Sequence, residues 1–352
     1  MNFNEQKPNP IDVVITWVDG NDPKFIERIN PFLKGKDRNA IPGAHQTRFG
    51  SINEIRYCVL SILKFAPFVR NIYIVTDGQN PNLCSDIKKH FPERVDSVSI
   101  VDHKTIFRGF EAYLPTFNSR TIESMLWRIP GLSNNFVYFN DDLFLIRQID
   151  PSDWFVNNQP VMRGKWLLAP TSRIIWNFVK LITKRYLLSI STYETRPSFH
   201  LGQWVSARIA GYRARYFINS HTPHAVGSNL VGEFLSGNQP LLEKNISYRF
   251  RNRKQFNFVA LSNHLQLKNG NSHIANPDLA YLSPHNRKNG YVKGKIKSCE
   301  ANGHIKFLCV QSLELCSGND QQRLFDWMDR LLGLRDHPYM SNPNPTLTEN
   351  CD

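Results

Sequence analysis

The tripeptide Asn140-Asp141-Asp142 closes the apolar run NFVYFN. Two adjacent carboxylates at the end of such a run can bind a hard divalent ion, Mg2+ or Mn2+, leaving its other positions to phosphate oxygens and water. A solvated acidic turn is the competing reading, and the tripeptide alone does not decide between them. Asp19 and Asp22 flank Gly20 in a second acidic loop. An aspartate there can hydrogen-bond a ribose or base, help hold the metal, or only shape the turn. Arg48, Asn53, Glu54 and Arg56 gather at the start of another segment. Arginine forks suit a diphosphate, although a surface Glu/Arg helix face has the same composition. His221 and His224 stand three apart in Ser-His-Thr-Pro-His. Imidazole is the natural general base near neutral pH. Pro223 argues against a helical metal pair, and each histidine taken singly defaults to a structural role.

These groups need elements to position them. IDVVITW (11–17) reads as a buried strand running into the turn-rich loop 18–23. Asn53 to Phe65 carries Ile55, Val59, Ile62 and Leu63 on one face and reads as an amphipathic helix stopped by Pro67. Strands are expected at 71–76, 98–101 and 135–140, and a helix from Thr121 to Trp127. This alternation predicts an α/β fold, Rossmann-like or GT-A-like, with a mainly parallel sheet and helices on both faces. Ligands bind such sheets at the strands' carboxyl ends, where Asp19, Asp77, Asp141 and Asp142 fall. After residue 150 the pattern becomes less regular and basic residues thicken between Arg163 and Lys306. Ile174 to Ile190 reads as a core helix with a basic solvated side, or as an amphipathic helix resting on a membrane. Gln321 to Leu332 has helical periodicity.

At 352 residues, 41% of them hydrophobic, the chain can bury a large core and is not a disordered polymer. The formal charge of +13 calls for an anionic partner. Nucleic acid is disfavoured: there is no zinc finger, no RNP-like aromatic motif and no clustered basic tail. Cys58, Cys84, Cys299, Cys309, Cys316 and Cys351 form no zinc-type pattern and are expected to be thiols in a reducing compartment. Residues 1–10 lack the apolar stretch of a signal peptide, and no apolar run approaches the roughly 20 residues that span a bilayer. The expected location is cytoplasmic, peripheral at the inner face of the membrane. The sequon at Asn245 is read as chance.

Four stretches carry a family resemblance: IDVVITWVDGNDP (11–23), residues 48–81, residues 114–145 and HTPH (221–224). They resemble the Stealth family of bacterial capsular polysaccharide phosphotransferases, related to the catalytic part of animal N-acetylglucosamine-1-phosphotransferase. The resemblance implies transfer of a sugar 1-phosphate from a UDP-sugar to a hydroxyl of an anionic or phosphate-linked glycan, releasing UMP. A metal-dependent glycosyltransferase releasing UDP would use the same parts. The resemblance implies catalytic roles for Asp19, Glu123, His221 and Arg251, and metal ligation by Asp141 and Asp142. Trp17, Arg48, Asn53, Glu54, Arg56, Asn118 and His224 are assigned to substrate. Residues 1–150 would form the nucleotide-sugar-binding core, and 151–352 an acceptor-binding lobe closing over it. The family's C-x-N-D element is replaced here by Cys309-Val310-Gln311-Ser312. Either Glu314 stands in for the missing acid, or metal dependence is weaker than in the family.

Overall fold

The computed structural model describes residues 9–33, 49–50, 52–170, 198–283 and 290–334. Arg48, Cys351 and the segment Ile174 to Ile190 lie outside them. The first half contains β1 (Ile11–Thr16), α1 (Pro23–Leu33), α2 (Glu54–Phe65), β2 (Ile72–Thr76), α3 (Cys84–His90), β3 (Val98–Asp102), α4 (His103–Ile106), α5 (Ser119–Glu123), β4 (Asn135–Asn140) and β5 (Leu143–Leu145). There follow β6 (Phe155–Val156), β7 (Gln159–Pro160), β8 (Met162–Leu168), α6 (Phe199–Ile209), β9 (Arg215–Asn219), β10 (His224–Gly227), α7 (Ser228–Ser236), α8 (Gln239–Ile246) and α9 (Phe258–Lys268). The last elements are β11 (Ile274–Ala275), β12 (Leu279–Leu282), α10 (Tyr291–Ala301), β13 (Phe307–Val310) and α11 (Gly318–Leu332).

The central sheet has the order β10-β4-β1-β2-β3. Its first four strands in sequence run parallel, as the apolar runs predict, and only β10 is antiparallel. Because successive side chains alternate, Val13 and Ile15 face one core and Val14 the other. Helices therefore cover both faces: α2 and α11 on the first, α7 and α9 on the second. Tyr57 of α2 stacks on Phe325 of α11 with ring centroids 4.9 Å apart, which locks the first layer. A smaller sheet, β12-β13-β5, extends that layer and joins the two halves of the chain.

β1, β2 and β3 are added toward one side, and β4 then returns to the other side of β1. The direction of sheet building reverses between β1 and β4, where Thr16 pairs with Asn140. Such a reversal opens a crevice at the strands' carboxyl ends.

Several expectations change. The helix expected at 121–127 begins at Ser119, capped by the Asn118 side chain, and ends at Glu123; a 3-10 turn follows at Leu126–Arg128. Apolar spacing does not distinguish a broken helix from a continuous one. Among the described residues between 198 and 334, six α-helices form, of which the sequence pattern predicts only the last. Cys58, Cys299, Cys309 and Cys316 are thiols, but Cys84 is disulfide-bonded, which sequence spacing could not reveal. Cysteine usage therefore no longer argues for a reducing compartment. Asn245 is buried, donating to Ser124 and accepting from the Phe256 N–H, so the sequon has a structural use. Among the described residues no helix is long and apolar enough to cross a membrane.

Candidate active site

Asp141 and Asp142 leave β4 at the crevice. β5 then pairs with β13, and the Val310 N–H donates to the Asp142 carbonyl at 2.9 Å. This pins the end of β13 beside the acidic pair. Ser312, in the left-handed region (φ 58°), turns the chain just after β13, and Glu314 two residues on lies in the field of Asp142. Glu54 enters from the head of α2; it is 5% exposed and its Oε2 accepts the Ile52 N–H at 2.6 Å.

Four carboxylates from three separate parts of the sequence thus share one electrostatic environment. Burial, reinforced by Glu314 and Asp142, raises Glu54 to about 7. Burial and the Glu314 charge push Asp142 up to about 6. Asp141 is held well above the ordinary carboxylate range by burial, then by Asp142 and Glu54. Burial also raises Glu314. Crowding of this kind favours protons or a cation. Asp142 Oδ1 and Glu314 Oε1 are buried with no hydrogen-bond partner among the described residues. No group of three or more His, Cys, Asp or Glu among those residues forms a metal cage. The donor set suits an ion held by one or two carboxylates and completed by substrate phosphate and water, as Mg2+ commonly is.

A second network adjoins the first. Phe136, Tyr138 and Asn140 share one face of β4 by strand alternation. The Tyr138 hydroxyl lies 2.9 Å from Thr16 Oγ1 and donates to Asn140 Oδ1 at 2.8 Å. It also lies in the fields of Glu123 and Asp141, so it links the two networks. Burial raises the Glu123 carboxyl, while the Arg251 charge, Ser119 and Tyr138 oppose the rise. Arg251 donates to Ser119 Oγ at 2.6 Å. Buried Arg120 is lowered to about 10 by desolvation and by Arg251.

His221 borders the site on another side. Its ring stacks on Phe199 (centroids 4.8 Å, planes 21° apart) and tilts against Tyr281 at 5.3 Å. Tyr281 in turn feels the Asp142 charge. Desolvation lowers His221, so it is a neutral base at pH 7. His224 sits in β10 opposite Tyr138 and is lowered to about 3, first by burial. It is therefore neutral at pH 7.

The other predicted residues make contacts of their own. Gln79 ties down the Asp19 loop, donating to the Asp19 carbonyl at 2.9 Å and to Asp22 Oδ2 at 2.8 Å. No hydrogen bond or ion pair joins Asp19 to the four carboxylates among the described residues. Trp17 packs half-buried against the first core. Asn53 is exposed, in a left-handed conformation ahead of α2. Arg56 is engaged structurally: Nε and Nη2 donate to Asp86, both at 2.9 Å, and Nη1 lies 3.5 Å from Asp329. Its fork ties α2 to α3 and α11 and is not offered to a diphosphate. Asn118 is fully buried, donating to the Tyr248 carbonyl and Gln255 while capping α5. Sequence reasoning passed over Thr16, Tyr138 and Tyr281. Tyr138 was detectable as the one ring with a polar tip in the NFVYFN run, two residues before Asn140.

Residues 9–37 match the pattern described as Stealth protein CR1, conserved region 1, and residues 48–162 match Stealth protein CR2, conserved region 2. Over these regions the chain is similar to the Stealth family. Glu54, Glu123, Asp141 and Asp142 fall inside the matches; His221, Arg251 and Glu314 fall outside. Capsular polysaccharide phosphotransferase cps12A of Actinobacillus pleuropneumoniae is 34% identical over 194 residues, 52% of this chain and 50% of that protein. Capsular polysaccharide phosphotransferase fcs1 of Haemophilus influenzae is 38% identical over 191 residues, 51% of this chain and 50% of that protein. Exopolysaccharide phosphotransferase SCO6021 of Streptomyces coelicolor is 44% identical over 149 residues, 42% of this chain and 26% of that protein. The matches thus span half or less of these relatives' lengths. Apo mouse xyloside xylosyltransferase 1 aligns over 85% of this chain and 96% of its own, at 14% identity and a TM-score of 0.36, a likeness too loose to argue from.

Proposed function

We propose that the protein transfers a sugar 1-phosphate from a UDP-sugar, of the N-acetylhexosamine class, to a hydroxyl of an anionic glycan acceptor. The setting is capsule or related surface-polysaccharide synthesis. The carboxylate cluster at the β1/β4 crevice carries the reading, with its unpartnered Asp142 and Glu314 oxygens. Similarity to capsular phosphotransferases over half the chain favours phosphoryl over glycosyl transfer.

In this reading the acceptor oxygen attacks the phosphorus bearing the sugar. The new O–P bond forms as the P–O bond to UMP breaks, and the hydroxyl proton passes to a base. Asp141 and Asp142, with Glu314 beside them, would hold a divalent ion, Mg2+ or Mn2+, which when bound offsets phosphate charge. Arg251 adds a fixed positive charge, and Tyr138, in the field of Glu123, holds Asn140 in register. Two groups are suited to take the proton. Neutral His221 stands by Tyr281, and Glu123 lies beside Arg251. The wider positive charge would draw the anionic acceptor toward the crevice.

The assay is the leaving nucleotide. Purified protein, a UDP-sugar and Mg2+ should release UMP dependent on acceptor; release of UDP would replace this reading with glycosyl transfer. We place the protein in the cytoplasm, at the inner face of the membrane, on the strength of the nucleotide-sugar donor. The Cys84 disulfide counts against that location, and cell fractionation tests it.

A further inference from the structure

An aromatic wall lies beside the carboxylate cluster. Phe199, at the start of α6, is 40% exposed. Its ring stacks nearly parallel on that of His221, which is itself exposed and leans on Tyr281. Three rings from α6, the loop before β10, and β12 thus form a continuous surface. Its inner end is Tyr281, which lies in the Asp142 field. The Tyr281 hydroxyl donates to Gln311 Oε1, leaving the amide group of this exposed side chain as a polar edge to the wall.

A contiguous exposed aromatic surface marks a candidate ligand-binding site. Core packing explains neither the outward Phe199 ring nor its parallel stack on an exposed imidazole. We infer that the wall is an acceptor subsite that stacks a hexopyranose ring of the glycan. A pyranose presents an apolar C–H face and a rim of hydroxyls. Phe199, His221 and Tyr281 would meet the face, and Gln311 would meet the rim. Continuity with the cluster through Tyr281 gives the stacked sugar a position from which a hydroxyl can reach the reacting phosphorus. This inference rests on the proposed transfer, and it makes Phe199 a specificity-determining residue.

The test combines binding with kinetics. Saturation-transfer NMR on the wild-type protein, using methyl glycosides of N-acetylglucosamine, galactose and glucose as probes, should show transfer concentrated on the C–H protons of one face. Absence of transfer for all three overturns the subsite without reference to catalysis. In acceptor-dependent UMP release, Phe199→Ala should raise the acceptor KM about tenfold, the size expected for losing an aromatic contact. Phe199→Tyr, which keeps the ring, should restore it. An unchanged acceptor KM in a folded Phe199→Ala protein overturns the assignment. If the wild type releases no UMP from any UDP-sugar, the proposed reaction fails, and the NMR result still decides the subsite.

Discussion

Neutralising one member of the carboxylate cluster should stabilise the metal-free protein. Glu54 is raised from 4.5 to about 7 by burial and by the charges of Glu314 and Asp142. A raised folded-state pKa means that the folded protein binds the proton more tightly than the unfolded chain. Below pH 4.5 both states are protonated and the group costs nothing. As pH rises through 7 the folded state must ionise Glu54, and the full penalty applies. The shift corresponds to about 3 kcal/mol at pH 8. Glu54→Gln keeps an acceptor for the Ile52 N–H and removes the charge. In chelator at pH 8 it should unfold on the order of 4 °C higher than wild type, with the gain vanishing near pH 4.5. Added Mg2+ should then stabilise the wild type more than the variant, because the ion offsets repulsion that the variant no longer has. Thermal unfolding followed by circular dichroism at both pH values, with chelator and with Mg2+, reads all four states. A variant less stable than wild type by the same amount at both pH values would refute the electrostatic account and make Glu54 a packing residue.

Four further outcomes follow from single contacts. His264 accepts the Phe217 N–H and, with burial opposing its charge, is lowered from 6.5 to about 4. Its contribution is present above pH 6.5 and is lost as pH falls toward 4, by about 3 kcal/mol, so subtracting a His264→Gln urea curve from the wild-type curve at each pH should expose that slope. Arg56→Lys loses the fork on Asp86 and should cost about 2 kcal/mol in urea unfolding while the donor KM stays unchanged; a raised donor KM would return Arg56 to the substrate site. Arg251→Gln removes a charge that lowers Glu123, so the acidic limb of the pH–rate profile should move to higher pH if Glu123 is the base. If His221 is the base, that limb stays in place. Raising ionic strength should lower kcat/KM for the anionic acceptor; a flat response would remove the steering argument.

The central sheet was legible because its strands are buried on both faces and appear as unbroken apolar runs: IDVVIT, IYIVT and NFVYFN. Helix α2 was legible from its apolar stripe. The edge strand β10 was not, since His-Ala-Val-Gly is short and belongs to the sheet only through its pairing with β4. The roles of arginines and asparagines were least legible. Arg56 has the right chemistry for a diphosphate, but Asp86 takes its Nε/Nη2 fork and Asp329 stands beside Nη1. Asn118 likewise exhausts its hydrogen bonds inside the fold. Residue type indicates what a side chain can bind, whereas tertiary partners determine whether it is free to do so.

Glu314 shows the same limit from the opposite direction. The sequence reading left open whether it replaces the acid absent at Ser312, because 172 positions separate Asp142 from Glu314 along the chain. The pairing of β5 with β13 brings these two parts of the chain together, and Glu314, just past the left-handed turn at Ser312, lies in the field of Asp142. A protein carrying a formal charge of +13 thereby gathers four carboxylates at its crevice. The wider field attracts phosphate, while the local cluster repels it until protons or a cation intervene. The two effects act at different ranges. Salt should weaken the long-range capture of an anionic acceptor, whereas the cation requirement proposed for the cluster should persist at high salt.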